Sequence, residues 1–289
     1  MRASSSCPSC GSSIAGAQPP TRWQQTNISL PRAERACARF FDALTARLPE
    51  LEARGVTAFW FLHKPPGLRL RFELSEVGSA REALDTAHDE LVAEGLVESW
   101  FPSVYEPEVH QFGGPDAMEL VHRHFVADSR ACLAWQSVRA SGRSKVTSQV
   151  VSLAAMVDLF ERCIGAPEEV WDVWMNVAGI YETSIEDALD APAIDLSRLE
   201  RFAGAAVSPI VAEYRRANEA LATGLAELVR CGKLRAGRRS VLPFVAIFHF
   251  NRYGLDVDTI RRISGAMCRT YDPKVGMRGT RIEPRGATP

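Results

Sequence analysis

From Trp23 onward, apolar and polar positions fall into two rhythms. WQQTNISL (23–30), TAFWFLHK (57–64) and LRLRFEL (68–74) are β-rich runs, and the last alternates strictly. Between the first two, RAERACARFFDALTARLPEL (32–51) returns Ala36, Phe40, Phe41, Leu44 and Leu48 at helical spacing, behind a Pro31 suited to open the helix. Pro65, Pro66 and Gly67 supply a turn, so the second and third runs predict a hairpin. Ala80–Glu94 reads as helix and Leu96–Tyr105 as strand.

The resulting order, β-α-β-β-α-β, is that of a ferredoxin-like sheet with helices on one face. Beyond Asp116 the periodicity is helical over 116–140, 147–164, 167–178, 195–203, 207–231, 240–252 and 256–269, with breaks at Gly142, Gly165–Pro167, Pro192 and Gly237. A small sheet followed by a helical half is an α+β architecture. The expected organisation is one domain over 22–272, with a sheet half at 22–114 and a helical half at 115–272. A Ser/Gly/Pro-rich N-terminal segment (1–21) and a basic tail (273–289) carry too few large apolar groups to join the core.

Charge narrows the partners. With 34 basic against 35 acidic residues the chain carries a formal charge of -1, so no global field draws it to nucleic acid or an anionic membrane. No apolar run is long enough to cross a bilayer and the first twenty residues lack a secretory signal, which makes the cytoplasm the expected compartment. Seven scattered cysteines make no disulfide framework and are expected to be reduced. Cys7 and Cys10 form a lone CxxC, a weak zinc or redox signal without a second pair.

Three constellations carry candidate chemistry. Strand alternation puts Arg69 and Arg71 on one face, either as a clamp for carboxylates or peptide carbonyls or as a solvated outer face. In VYEPEVHQFGG (104–114) an acid (Glu108), an imidazole (His110) and an amide (Gln111) gather where a strand leaves for a loop, ahead of a Gly pair suited to positive φ. In SVLPFVAIFHFNRYGLD (240–256), Ser240 stands as a helix cap or a hydroxyl catalyst, Pro243 falls in the first turn, and His249 and Tyr253 share a helical stripe, either as an acid–base pair or as half-buried surface. Tyr271 is a further phenol, and Asp128, within a predicted helix, is open to capping, core bonding or substrate contact. His122 and His124 lie two apart on a helix and diverge, so they cannot chelate one metal. With no P-loop, GxGxxG, HExxH or GxSxG, neither a metal nor a nucleotide cofactor is expected.

Three segments, FLHKPPGLRLRFEL, SVYEPEVHQFGGPDAMELVHRHFVADSRACLAW and FHFNRYGLD, together resemble the C-terminal domain of lantibiotic dehydratases, also found alone as the thiopeptide-type bacteriocin biosynthesis domain. The resemblance spans most of 22–270. It aligns Arg69 and Arg71 with the family's strand arginines, and Glu108, Gly113, Gly114, Asp128, Asn251 and Arg252 with its framework. In eliminating members the two strand arginines, an arginine before Tyr-Gly-Gly and a late histidine are associated with removing glutamate from glutamylated Ser or Thr. This chain departs from them: Gln111 replaces an arginine, Phe112 a tyrosine, and Ile247 the late histidine, with His249 two positions off.

The resemblance to stand-alone thiopeptide pyridine synthases implies another reaction, a formal [4+2] aza-cycloaddition between two dehydroalanines of a modified precursor peptide, with loss of the leader. It requires no cofactor, only positioning of two remote residues and donors and acceptors for an amide-to-iminol shift. Ser240, Tyr253, Tyr271 and His249 are the expected catalytic groups. Arg69, Arg71, Glu108, His110, Gln111 and Asp128 are the expected contacts to the azole-bearing precursor and its leader. The alternatives are a glutamate-elimination subunit of a split dehydratase and a non-catalytic precursor-binding protein, which would take the leader as an added strand at a sheet edge.

Overall fold

The computed structural model describes residues 22–65, 67–75, 77–185 and 194–274. The expected tails lie outside the described residues except for Pro273 and Lys274, as do Cys7, Cys10, Pro66 and the break at Pro192. The elements run β1 (Arg22–Ser29), α1 (Ala36–Ala53), β2 (Val56–Lys64), β3 (Gly67–Leu74), α2 (Val77–Ala93) and β4 (Ser99–Ser103). A helical half follows: α3 (Pro115–Ala140), α4 (Ser148–Ile164), α5 (Pro167–Ile180), α6 (Leu196–Ala203), α7 (Ser208–Arg230), α8 (Arg238–Arg252) and α9 (Val257–Thr270). The α+β architecture and the β-α-β-β-α-β opening are as the pattern predicts.

All neighbouring strands are antiparallel, in the order β2-β3-β1-β4. One face packs on α1 and α2: Phe41 meets Phe61 at 4.4 Å between ring centroids, and Phe72 meets His88 at 5.9 Å. The other face is covered too. Trp60 of β2 lies 4.9 Å from Phe125 of α3 and 6.1 Å from Phe248 of α8. Helices therefore flank the sheet on both sides, not one, because the helical half needs an apolar floor for α3 and α8.

Element ends differ from expectation for local reasons. After Pro31 the chain makes tight turns, with Ala33 N–H donating to Pro31 O and Arg35 at φ 61, so α1 starts at Ala36. Gly95 at φ 68 ends α2, and Leu96 and Val97 donate back to Leu91 O, which delays β4 to Ser99. At α8 the cap is Gly237, not Ser240, and Pro243 sits in the second turn. Having no N–H, Pro243 leaves Arg239 O free, and Asn176 Nδ2 donates to it at 3.4 Å. Among the described residues no helix is long and apolar enough to cross a membrane.

Candidate functional site

Alternation along β3 sends Leu68, Leu70 and Phe72 toward α1 and α2 and puts Arg69 and Arg71 against the helical half. The solvated-face reading thus fails for Arg71, which is 3% exposed. Trp60 is its cross-strand partner in register, and the Arg71 Cζ stands 4.2 Å from the Trp60 ring centroid and 5.0 Å from that of Tyr105. Burial pulls the Arg71 guanidinium down to about 10, against the opposing pull of Tyr105 and Glu108. Arg69 is half-buried and donates from Nε to Asn27 Oδ1 at 3.2 Å. Asn27 and Gln25 of β1 both donate to Ser103 Oγ at 2.7 Å, tying the strand that carries these arginines' neighbours to β4.

Above this floor the β4–α3 loop brings Tyr105 and Glu108, and α3 brings His122. The Tyr105 hydroxyl is 2.8 Å from His122 Nε2, and Trp23 packs on the imidazole at 4.8 Å. Burial, reinforced by the Arg71 charge, holds His122 down to about 4, and burial raises the Tyr105 phenol above its ordinary range. Arg71 Nε and Nη1, Trp60 Nε1 and Glu108 Oε2 are buried with no protein hydrogen-bond partner. The seam between sheet and helical half thus offers cationic and neutral donors, an acceptor, a phenol and a neutral imidazole among aromatic walls.

The loop that carries Glu108 is held by its glycines. Gly113 and Gly114 lie at φ 86 and 111, and Arg235 N–H donates to Gly113 O at 2.8 Å. A Cβ on Gly113 would fall 2.8 Å from Leu234 Cδ1, and one on Gly114 3.1 Å from Arg235 Cδ. His110 is exposed and Gln111 half-buried. Phe112 is fully buried between Phe125 and Phe248, so in the family's tyrosine position it acts as packing.

A second cluster lies in the closed core. Asp128 Oδ1 accepts from Tyr214 Oη and His249 Nδ1, each at 2.8 Å, and Oδ2 accepts from Arg252 Nη1. His249 Nε2 lies 3.2 Å from Ser152 O, and the Tyr214 and Tyr253 hydroxyls are 2.8 Å apart. Asp128, His249 and Arg252 are each 0% exposed. Burial pushes the Asp128 carboxyl up, but the His249 and Arg252 charges with the His249 hydrogen bond outweigh it and hold it well below the carboxylate range. Ser129, next in the chain, accepts from Phe61 N–H at 3.4 Å. Asp128 and Ser129 therefore lock α3 to α8 and β2, and Asp128, enclosed with both oxygens occupied, does not face the seam.

The four expected catalytic groups do not converge. Ser240 is exposed in the first turn of α8, and Tyr271 donates to Glu161 Oε1 at 2.6 Å. His249 and Tyr253 are buried in the Asp128 cluster, not on a half-buried surface. His122 and His124 do diverge, His124 turning to Asn218 at 3.0 Å. Among the described residues no three His, Cys, Asp or Glu side chains gather as a metal cluster. Sequence reasoning gave Tyr105 and Trp60 no role and weighed His122 only as a metal ligand, although the hairpin register that pairs Trp60 with Arg71 was a usable signal.

Comparison with known proteins gives one family model, the lantibiotic biosynthesis dehydratase C-terminal domain, matching residues 25–271. Among solved structures, the tRNA-dependent lantibiotic dehydratase MibB from Microbispora sp. 107891 matches 92% of this chain at 17% identity with a TM-score of 0.68. The chain spans 29% of that protein's length. The pyridine synthase TbtD from thiomuracin biosynthesis matches over 89% of this chain and 99% of its own, at 14% identity and a TM-score of 0.56. At these identities the likeness is one of fold. No curated protein matches.

Proposed function

The chain belongs to the family of lantibiotic biosynthesis dehydratase C-terminal domains, and from that premise we propose that it closes a nitrogen heterocycle in a dehydrated, azole-bearing precursor peptide by formal [4+2] cycloaddition. One dehydroalanine contributes two carbons. The other, with its neighbouring amide as the iminol, contributes the four-atom aza-diene. Two carbon–carbon bonds, from the methylene carbon and the iminol carbon of the aza-diene to the two alkene carbons, close the six-membered ring, and loss of water and of the leader as its amide makes it aromatic.

The observation that carries this reading is the position of His249. Ile247 stands in the family's histidine place, and the one imidazole of α8 is enclosed with both ring nitrogens against acceptors, Asp128 Oδ1 at 2.8 Å and Ser152 O at 3.2 Å. α8 therefore offers the seam no base for glutamate elimination. What the seam retains suits binding a peptide: Arg69, Arg71 and Glu108, with His110 and Gln111 at the loop margin. In this reading His249, Tyr253 and Asp128 hold the seam's shape, while Ser240 and Tyr271 stand apart from it.

His122 favours a second reading. An imidazole kept neutral beside Arg71 provides a base and a cation in one place, the requirements of glutamate elimination. One experiment separates the two. Incubated with an azole-bearing precursor peptide containing two dehydroalanines, the protein is expected to release a macrocycle and the leader amide, read by mass spectrometry. Turnover of a glutamylated peptide, with loss of glutamate and no reaction of the dehydrated one, reverses the assignment.

A further inference from the structure

Resting on the cycloaddition reading, we propose that Tyr105 carries the proton between the nitrogen and the oxygen of the reacting amide, and that His122 is the residue that positions it. A phenol hydroxyl has one donor and two acceptor sites. With His122 Nε2–H donating to Oη across their 2.8 Å contact, one lone pair and the O–H stay free for substrate. On the amide in its cis form, which sets N–H and C=O on the same side, the N–H gives its proton to Oη as the O–H passes its own to the carbonyl oxygen. Nitrogen loses a proton, oxygen gains one, the amide becomes the iminol and the phenol is restored, with no net charge made.

The surroundings fit a neutral transfer. Tyr105 is only partly buried, at the point where β4 hands over to the loop of Glu108. Arg71 lies over its ring at 5.0 Å, and its unpartnered Nε and Nη1 are donors for the carbonyl oxygen's other lone pair, which makes the amide N–H more acidic. Trp23 packs on both members of the pair, at 6.5 Å from Tyr105 and 4.8 Å from His122, and fixes the imidazole plane. Burial keeps the phenol protonated and the imidazole neutral, the forms the exchange uses. None of Ser240, Tyr253 and Tyr271 combines a phenol or hydroxyl with a place beside Arg71.

The full chain and a precursor peptide with azoles and two dehydroalanines test this. Tyr105→Phe, shown folded by circular dichroism, is expected to lower kcat about a hundredfold with KM little changed. His122→Leu is expected to lower kcat about tenfold, and His122→Gln, whose amide N–H can replace Nε2–H, to recover most of it. A Tyr105→Phe variant as fast as wild type overturns the proposal, and equal rates for His122→Leu and His122→Gln overturn the positioning role. If the wild type leaves the peptide unchanged, the cycloaddition reading fails. The contact is then decided by NMR of [13Cζ]tyrosine-labelled protein, with the Tyr105 resonance assigned by its loss in Tyr105→Phe. Excess N-acetyl-dehydroalanine methylamide shifts that resonance if the phenol meets the amide, and an unmoved resonance overturns the proposal.

Discussion

The side-chain amide of Asn251 exchanges two hydrogen bonds with the backbone of His63: Oδ1 accepts from His63 N–H at 2.8 Å, and Nδ2 donates to His63 O at 3.0 Å. Helix α8 thereby pairs with β2 as a further strand would, joining the helical half to the sheet edge. Removing the amide leaves two backbone groups unpaired at a half-buried position. Asn251→Ala is expected to cost about 2 kcal/mol, read as a lower urea midpoint at unchanged slope. An unchanged midpoint would mean that water replaces the amide without loss.

Asp128 supplies the carboxylate on which three buried donors depend. Asp128→Ala is expected to destabilise by about 3–5 kcal/mol, because Arg252 is left charged and enclosed. Adding Arg252→Met should recover part of that loss. A double variant whose destabilisation equals the sum of the singles would show that the two side chains do not interact.

His88, buried between Phe72 and Trp100, is held down to about 4, chiefly by burial, from an ordinary 6.5. The unfolded chain takes up its proton first as pH falls. The contribution of this group to stability is therefore complete above pH 6.5, shrinks between 6.5 and 4, and is gone below 4, a span worth about 3 kcal/mol. His88→Leu should flatten the stability profile across that window in urea titrations at several pH values. A slope equal to wild type would assign the acid sensitivity elsewhere, first to His122, which is held to a similar value.

Gly67 opens β3 where it crosses β1, and a Cβ there would lie 2.1 Å from Ile28 O. Side chains at the far end of a flexible arm can move aside, but a backbone oxygen in a strand pair cannot. Gly67→Ala should cost about 3 kcal/mol and lower the thermal midpoint, while Gly78→Ala, where a Cβ meets nothing within 4 Å, should not lower it.

Arg69 and Arg71 should separate in function. Arg69→Ala is expected to weaken capture of the precursor peptide about tenfold and leave the melting temperature near wild type, since Arg69 is half-buried and bonded only to Asn27 Oδ1. Arg71→Ala should lower both, because its guanidinium also packs on Trp60. Fluorescence anisotropy of a labelled peptide beside a thermal melt separates the cases. Equal melting temperatures for the two variants would contradict the packing role.

The fold was largely legible because its signals are local. Period-2 alternation in LRLRFEL and the turn before it give a hairpin, and the 3.6-residue recurrence after Asp116 gives the helical half. The resemblance carried by Arg69, Arg71, Gly113, Gly114, Asp128 and Asn251 located the family. The site was less legible, for a physical reason. Burial of Arg71 depends on α3 and α8 lying over the sheet, a contact between residues far apart in the chain. His249 and Tyr253 read as surface or acid–base candidates because spacing reports which residues share a helix face, not whether that face is closed. Tyr105 and His122 meet only because a loop folds back on α3, and no periodicity records that.

The loop between Tyr105 and α3 divides its labour within a few positions. Its paired glycines hold a positive φ that other residues rarely adopt, with the side chains of Leu234 and Arg235 packed where a Cβ would stand. His110 is exposed and Gln111 half-buried, so both keep access to solvent. Such a loop can exchange the groups it presents without losing its shape, which gives a route by which one inherited frame can trade one reaction for another through a handful of substitutions.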